Sequence, residues 1–373
     1  MPQPWLKGSA IAAVMAVALL TAGPAPGQTT LSPGWLASLQ GVFVPDPSHG
    51  ADYEAVFLRG KDPVIVHRKG VWLRVSEGTT EQRFASYVGL STGSQIVVAS
   101  DAQGRYASIF IRRSKPSPKT DYRSFKTSER RQVLGEPCEV WSVWREEPPA
   151  PKQRPLQRIG CVTADGIELW RRREDQHPAE AVQVTRRRFD AEEVQPPRDL
   201  LDLAPWVGDA SAAPSAGDYE VMLKGARPGS SITIRRHGDW LYNDVRYPAG
   251  RSVESRRADD SVALYFSLSA GGADRSLDFR RPNPSTRARV QTLGRWEVVN
   301  GERCQWVNLV TDIEDDGRRE CRAADGAPLK ITEWSWGTER NFTAVFVSRA
   351  KLRMADVLPP KALLDPKRWG LPH

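Results

Sequence analysis

Along most of the chain apolar and polar residues alternate with a period of two. Pro63-Val-Ile-Val-His-Arg-Lys-Gly-Val-Trp-Leu-Arg-Val75 reads as two strands joined at Lys69-Gly70, and Ser231 to Arg235 followed by His237-Gly238-Asp239-Trp240 reads the same way. Alternation places every second side chain on one face of a sheet, so these segments are expected to be half-buried strands. Asp165-Gly166 and Asp325-Gly326 lie between apolar or β-branched runs, where a hairpin turn needs positive φ. Closing strands are expected over 180–189 and 341–348, and short helices near 191–193 and 360–364. The fold class that follows is mainly β with minor α, built from two tandem antiparallel sheets, each curved around its own core.

The pattern repeats. Asp52-Tyr53-Glu54 returns as Asp218-Tyr219-Glu220, Leu58-Arg59-Gly60 as Leu223-Lys224-Gly225, and Trp72-Leu73 as Trp240-Leu241. Phe110-Ile111-Arg112-Arg113 resembles Phe279-Arg280-Arg281. Gly135-Glu136-Pro137-Cys138 matches Gly301-Glu302-Arg303-Cys304, and Cys161 with Ala164-Asp165-Gly166 matches Cys321 with Ala324-Asp325-Gly326. Pro196-Pro197 with Leu200-Leu201-Asp202 matches Pro359-Pro360 with Leu363-Leu364-Asp365. Matches that keep their order over so long a stretch indicate a tandem duplication. The expected organisation is a signal peptide at 1–27, a lead at 28–50, repeat 1 at 51–204, a linker at 205–216, repeat 2 at 217–366 and a tail at 367–373.

The signal peptide is read from Lys7, the apolar run Ala10 to Leu20, and the small residues and prolines that follow. That run is too short to span a bilayer, and the chain is expected to be exported to the periplasm or secreted, not membrane-spanning. The net charge of +8 arises from 53 basic and 45 acidic residues. An excess so diluted favours anionic surfaces in general, and with export it gives no reason to expect nucleic acid.

Four cysteines permit three pairings, and duplication selects Cys138 with Cys161 and Cys304 with Cys321, because a pairing older than the duplication lies within each copy. A four-cysteine metal site is the alternative, but the spacings lack the short Cys-x-x-Cys pairs zinc uses. No metal or cofactor is expected. Gly89-Leu90-Ser91-Thr92-Gly93 formally matches a nucleophile elbow, which needs a helix after it; a strand-like Ile96-Val97-Val98 follows instead. His67 and His237 both precede a Gly-x-Trp hairpin but fall out of register, and His49, His177 and His373 show no ligand spacing. Asp312-Ile313-Glu314-Asp315-Asp316-Gly317 imitates the start of a calcium loop, with Ala323 where a bidentate Glu belongs, and reads as an acidic turn. No catalytic residue is assigned.

Arginine runs at 112–113, 171–173, 186–188, 280–281 and 318–319 suit either a solvated face with ordinary ion pairs or an anionic envelope component. The thirteen Trp include Trp72, Trp141, Trp170, Trp240, Trp306 and Trp334 on expected strands, and these are the candidate lining of a ligand cavity.

The repeated Gly-Glu-x-Cys with a following strand, the Cys-x-x-Ala-Asp-Gly-x-x-Leu hairpin, the final strand and the Pro-Pro-x-x-Leu-Leu-Asp segment resemble the LolA/LolB-like superfamily of bacterial exported proteins. The resemblance covers most of both copies and implies an open half-barrel with a helical cover, whose concave apolar face binds acyl chains. The function expected from it is a non-catalytic binding or carrier module for a lipid or other amphiphile. An envelope interaction scaffold is the alternative, and a Ser91-dependent hydrolase stands last.

Overall fold

The computed structural model describes residues 51–59, 61–79, 81–89, 92–113, 122–145, 158–173, 178–208, 217–281, 289–310 and 316–372. The expected signal peptide at 1–27, the expected lead at 28–50 and residues 209–216 of the expected linker lie outside them. In copy one, β1 (Tyr53–Arg59), β2 (Asp62–Lys69), β3 (Trp72–Gly78), β4 (Gln82–Gly89), β5 (Ser94–Asp101) and β6 (Tyr106–Arg113) form an antiparallel meander. A second meander follows in β7 (Tyr122–Val133), β8 (Glu136–Arg145), β9 (Arg158–Val162), β10 (Glu168–Arg173) and β11 (Ala179–Thr185), and β11 returns to pair with β1.

Copy two runs through the same order. Its first meander is β12 (Tyr219–Gly225), β13 (Ser231–His237), β14 (Trp240–Tyr247), β15 (Gly250–Arg257), β16 (Ala263–Ser269) and β17 (Arg275–Arg280). Its second is β18 (Arg289–Val299), β19 (Glu302–Val310), β20 (Asp316–Arg322), β21 (Pro328–Ser335) and β22 (Thr338–Ser348), with β22 against β12.

Alternation in sequence becomes alternation in burial: Val64 and Val66 of β2 are buried, as are Ile232 and Ile234 of β13. Register shifts at Val56/Phe57 in the β1–β11 pair and at Met222/Leu223 in the β12–β22 pair mark the same bulge in both copies, where a strand bends and the sheet curls. The two curved sheets then join edge to edge. β6 pairs antiparallel with β17 from Arg113↔Arg275 to Ser108↔Arg280, giving one continuous 22-stranded antiparallel sheet that does not close into a barrel.

Burial at this seam refines the repeat alignment by one residue. Ile109 and Ile111 are buried on β6, and Leu277 and Phe279 on β17, so Phe279 corresponds to Ile111 rather than to Phe110. Arg113 then corresponds to Arg281, and both point at backbone carbonyls of short helices described next.

After β11 come α1 (Ala191–Val194) and α2 (Ala204–Val207); after β22 come α3 (Met354–Val357) and α4 (Pro366–Trp369). α1 and α3 cover their own copy, near β2–β3 and β13–β14. Arg74 Nη1 donates to Glu193 O at 2.7 Å, and Arg235 Nη1 to Asp356 O at 3.3 Å. α2 and α4 cross over. Arg281 Nη2 donates to Pro205 O at 2.7 Å, and Trp206 packs edge-on against Phe279, so α2 of copy one sits on β17 of copy two. Reciprocally, Arg113 Nη1 donates to Lys367 O at 2.8 Å and Ser94 Oγ to Trp369 O at 2.9 Å, so α4 of copy two sits on β5 and β6 of copy one.

One core lies under these crossings. Tyr87, Ile96, Val98, Ile109 and Ile111 meet Trp240, Leu264, Phe266, Leu277 and Phe279, and Trp206 and Trp369 seal it. A further core fills the curl of copy two, around Val221, Ile232, Trp306, Leu329 and Phe342. The expected linker and tail therefore give way at their inner ends. Trp206 and Trp369 are 2% and 0% exposed, although a four-residue helix beside Pro205 or Pro366 has the composition of a loop. The closing strand expected over 180–189 stops early, at Thr185, whereas that expected over 341–348 lies within β22, and the helix expected near 360–364 is a 3-10 turn at Lys361–Leu363. Strand and turn content is thus mainly β with minor α.

The β7–β8 and β18–β19 turns have two successive residues in the left-handed region, Leu134-Gly135 and Asn300-Gly301. At φ 53° the Cβ of either residue crowds the following carbonyl, but the short polar side chain of Asn offsets that cost by hydrogen bonding, as Asn300 Nδ2 does to Ala344 O at 2.6 Å, and Leu cannot. Replacing the exposed Leu134 by Asn is expected to stabilise the chain by about 1 kcal/mol. A denaturant titration showing no gain would contradict the assigned turn.

Candidate functional site

The repeated signature residues form a clasp. Arg186, just past β11, places Nε 2.7 Å from Asp165 Oδ2 and Nη1 2.8 Å from Glu136 Oε1. Arg349, just past β22, does the same with Asp325, Nε to Oδ2 at 2.7 Å, and with Glu302. The Glu of Gly-Glu-x-Cys and the Asp of Ala-Asp-Gly thus tie two hairpin turns to the end of the closing strand. Glycines 166 and 326 turn at φ 85° and 87°, as a tight hairpin requires.

Hydrogen bonds from Arg186 hold the carboxyls of Glu136 and Asp165 below the usual carboxylate range. A depressed folded value stabilises above the ordinary range and is lost as pH falls through it. The Arg186→Ala variant is expected to lose about 1 kcal/mol at neutral pH, because the clasp is over a third exposed and screened. Thermal melts of the two proteins should converge on acidification; a gap that persists in acid would assign Arg186 a packing role instead.

The disulfides are Cys138–Cys161 and Cys304–Cys321, with Cα separations of 5.4 and 5.2 Å, each linking adjacent strands, β8 to β9 and β19 to β20. The within-copy pairing expected from the duplication is the one present.

The candidate tryptophans fall into separate surroundings. Trp72 and Trp240 open β3 and β14 at equivalent positions and pack in the shared core. Trp306 belongs to the copy-two core and donates Nε1 to Glu297 Oε2 at 3.0 Å. Trp170 is buried beneath the Arg131 guanidinium, 3.9 Å from the ring centre, and Trp141 is half-buried on β8. Trp334 lies on Gly317, where an added Cβ would come within 2.0 Å of the indole, so this glycine makes room for a ring.

Gly89 and Gly93 close the β4–β5 turn, with β5 directly following; Leu90 and Ser91 lie outside the described residues. Asp312, Glu314, His49, His177 and His373 also lie outside them. His67 pairs with Glu54 at 2.9 Å and His237 with Asp218 at 3.0 Å, and their strand registers make Arg235 and Lys69 their respective counterparts in the other copy. Burial lowers the pKa of His67, more than Glu54 restores it. Among the described residues no cluster of His, Cys, Asp and Glu suits a metal ion. The arginine runs are largely occupied: Arg187 by Glu193, Arg318 by Glu320 and Glu333, Arg319 over Trp334.

A different set of arginines lines a cavity of about 490 Å³ at the end of the copy-two sheet, where the β14–β15 turn, the β16–β17 turn and α4 meet. Its walls include Arg246, Tyr247, Arg251, Leu268, Arg275 and Arg368. Gly250 lets the two turns approach, since a Cβ there would lie 2.3 Å from Leu268 O, and Ala270 N donates to Ala249 O at 2.9 Å. Arg251 and Arg246 converge on the buried Asp244, at 2.8 and 3.2 Å. Burial opposes its charge, but these two donors hold its carboxyl below the usual range. Tyr247 donates to Glu333 Oε2 at 3.1 Å; burial and that carboxylate push its hydroxyl up to about 12.

Arg275 and Arg368 differ from that pair. No carboxylate among the described residues forms an ion pair with either, and Nε of Arg275 is buried without a hydrogen bond. Burial, then the neighbouring Arg113 and Arg368, lowers the pKa of Arg275. In copy one the register places Gly78 at the position of Arg246, Ala107 at that of Arg275 and Pro205 at that of Arg368; only Arg251 has an arginine counterpart, Arg83. These isolated arginines lie in none of the sequence runs. The signal that marks them is the difference between the two copies.

No protein-family model matches the chain, and no curated protein matches it. Among solved structures, PNGF-II in a C2 space group is similar at a TM-score of 0.27 and 11% identity, over 81% of this chain and 64% of that one. The chain thus spans a little under two thirds of that protein's length.

Proposed function

We propose that the chain is an exported, non-catalytic binding module for an amphiphilic ligand, held in the cavity of copy two. The observation that carries this reading is the lining itself: an apolar wall of Tyr247, Pro248 and Leu268 beside a rim of four arginines. A wall of this kind takes hydrocarbon, and the rim takes a polar end. The paired disulfides favour an oxidising compartment, as does the N-terminal apolar run, and both suit a periplasmic or secreted protein. No helix among the described residues is long and apolar enough to cross a membrane. The LolA/LolB-like signature supports a carrier role in the same sense.

Native mass spectrometry of the protein purified from an envelope extract should show an amphiphile of defined mass. A folded protein that stays empty after exposure to total lipid extract would overturn the reading.

A second reading, an interaction scaffold, is favoured by the end strand β18, which exposes Val290 by 56%, Trp296 by 49% and Val298 by 65%. Such a strand offers unpaired backbone groups to a partner. Crosslinking from Val298 that recovers no reproducible partner would count against it.

A further inference from the structure

We infer that the copy-two cavity is an oxyanion site, which takes a phosphate-like group between Arg275 and Arg368 at a stoichiometry of one per chain. This rests on the binding role proposed above and names the chemistry of the ligand's polar end.

The cavity brings four guanidinium groups together around a lining that contains no carboxylate among the described residues. Asp244 behind the wall accepts from Arg246 and Arg251, which fixes those two side chains. Arg275 is left with a buried donor that has no acceptor, and Arg113 beside it is committed to the carbonyls of Lys367 and Arg368. Gathering like charges and stranding a buried donor both destabilise a protein, and an anion with several acceptor oxygens relieves both. Planar guanidinium forks match tetrahedral oxyanions in a bidentate manner.

The duplication provides an internal control. At the equivalent end of copy one, Gly78, Ala107 and Pro205 replace three of the four arginines, while the strands, bulges and crossing helices remain. The arginines are therefore not needed to build the sheet end. They belong to one copy only. The site also adjoins the contact between copies, since Arg368 is carried by α4, whose backbone accepts from Arg113 on β6 of copy one. A ligand bridging Arg275 and Arg368 would hold that contact in place.

The test is calorimetric titration of the whole protein with four probes: inorganic phosphate, dodecyl phosphate, dodecyl trimethylammonium and the neutral dodecyl maltoside. Dodecyl phosphate is expected to bind one per chain and at least about tenfold more tightly than the cationic and neutral chains, with added salt weakening it. Arg368→Ala, at a half-exposed position, and Arg275→Gln should each weaken it by about tenfold. Arg83→Ala in copy one should leave it unchanged. Should Arg275→Gln fail to fold, Arg368→Ala and the salt dependence of the unaltered protein carry the test.

Three amphiphiles bound equally would overturn the oxyanion site and leave the binding role standing. Inorganic phosphate bound as tightly as dodecyl phosphate, and lost in the arginine variants, would support the oxyanion site with a free anion as its ligand and overturn the amphiphile reading. No binding by any probe would overturn both.

Discussion

Replacing Trp369 by alanine is expected to cost about 4 kcal/mol. The side chain is fully buried, its ring lies 6.0 Å from that of Phe266, and its Nε1 donates to Leu363 O at 2.7 Å. Truncation leaves a cavity the size of an indole and strips a carbonyl of its donor. The backbone carbonyl of Trp369 itself accepts from Ser94 Oγ of copy one, so a shift of α4 into the vacated space loosens the contact between copies. Urea titration should show a much lower midpoint with an unchanged slope. A loss below about 1 kcal/mol would mean that α4 does not seal the core as described.

The second large effect is expected at Glu320. It is 5% exposed and accepts from Arg318 Nε at 2.6 Å and Arg322 Nε at 2.7 Å, while Arg318 also reaches Glu333 at 2.9 Å. Burial alone would raise its pKa, yet the two arginines outweigh burial and hold the carboxyl below its ordinary range. Its contribution is therefore present above that range and is lost as pH falls through the depressed value. Glu320→Ala leaves two guanidinium groups facing each other with their common acceptor gone, at an expected cost of about 3–5 kcal/mol. Melts at neutral pH test this. A triple apolar replacement of Arg318, Glu320 and Arg322 that restores most of the stability would show that the penalty comes from the stranded charges, not from the fold.

What could be read in advance depended on how local its cause is. The β2–β3 hairpin is written in contiguous alternation around Gly70, and the Asp-Gly turns in a backbone conformation that a single glycine supplies. The cysteine pairing followed from the duplication, because two copies leave one consistent choice. The β6–β17 seam had no such mark: Ile109, Ile111, Leu277 and Phe279 alternate as any strand residues do, and nothing in their order says which edge receives them. Trp206 and Trp369 were harder still, since their helices are four residues long and their burial comes from the opposite copy. Tryptophans on strands were legible as aromatic content, but their surroundings were not, because Trp72, Trp170 and Trp334 look alike in sequence and meet a core, an arginine and a glycine. The arginine cavity was hidden for the same reason, with its members up to 122 residues apart, from Arg246 to Arg368 (368 − 246).

The reciprocal crossing of α2 and α4 has an evolutionary consequence. An ancestor with a single copy would have carried both the seam edge and the reaching helix, and would have completed itself only by associating with its twin. Fusing two such genes turns that association into a permanent one and frees each half from having to match itself. A residue that would once have appeared twice, by symmetry, can then change on one side alone. Arg275 facing Arg113 across the seam, with Ala107 and Arg281 at the mirrored place, is the kind of asymmetry that a symmetric pair of identical chains could never have acquired.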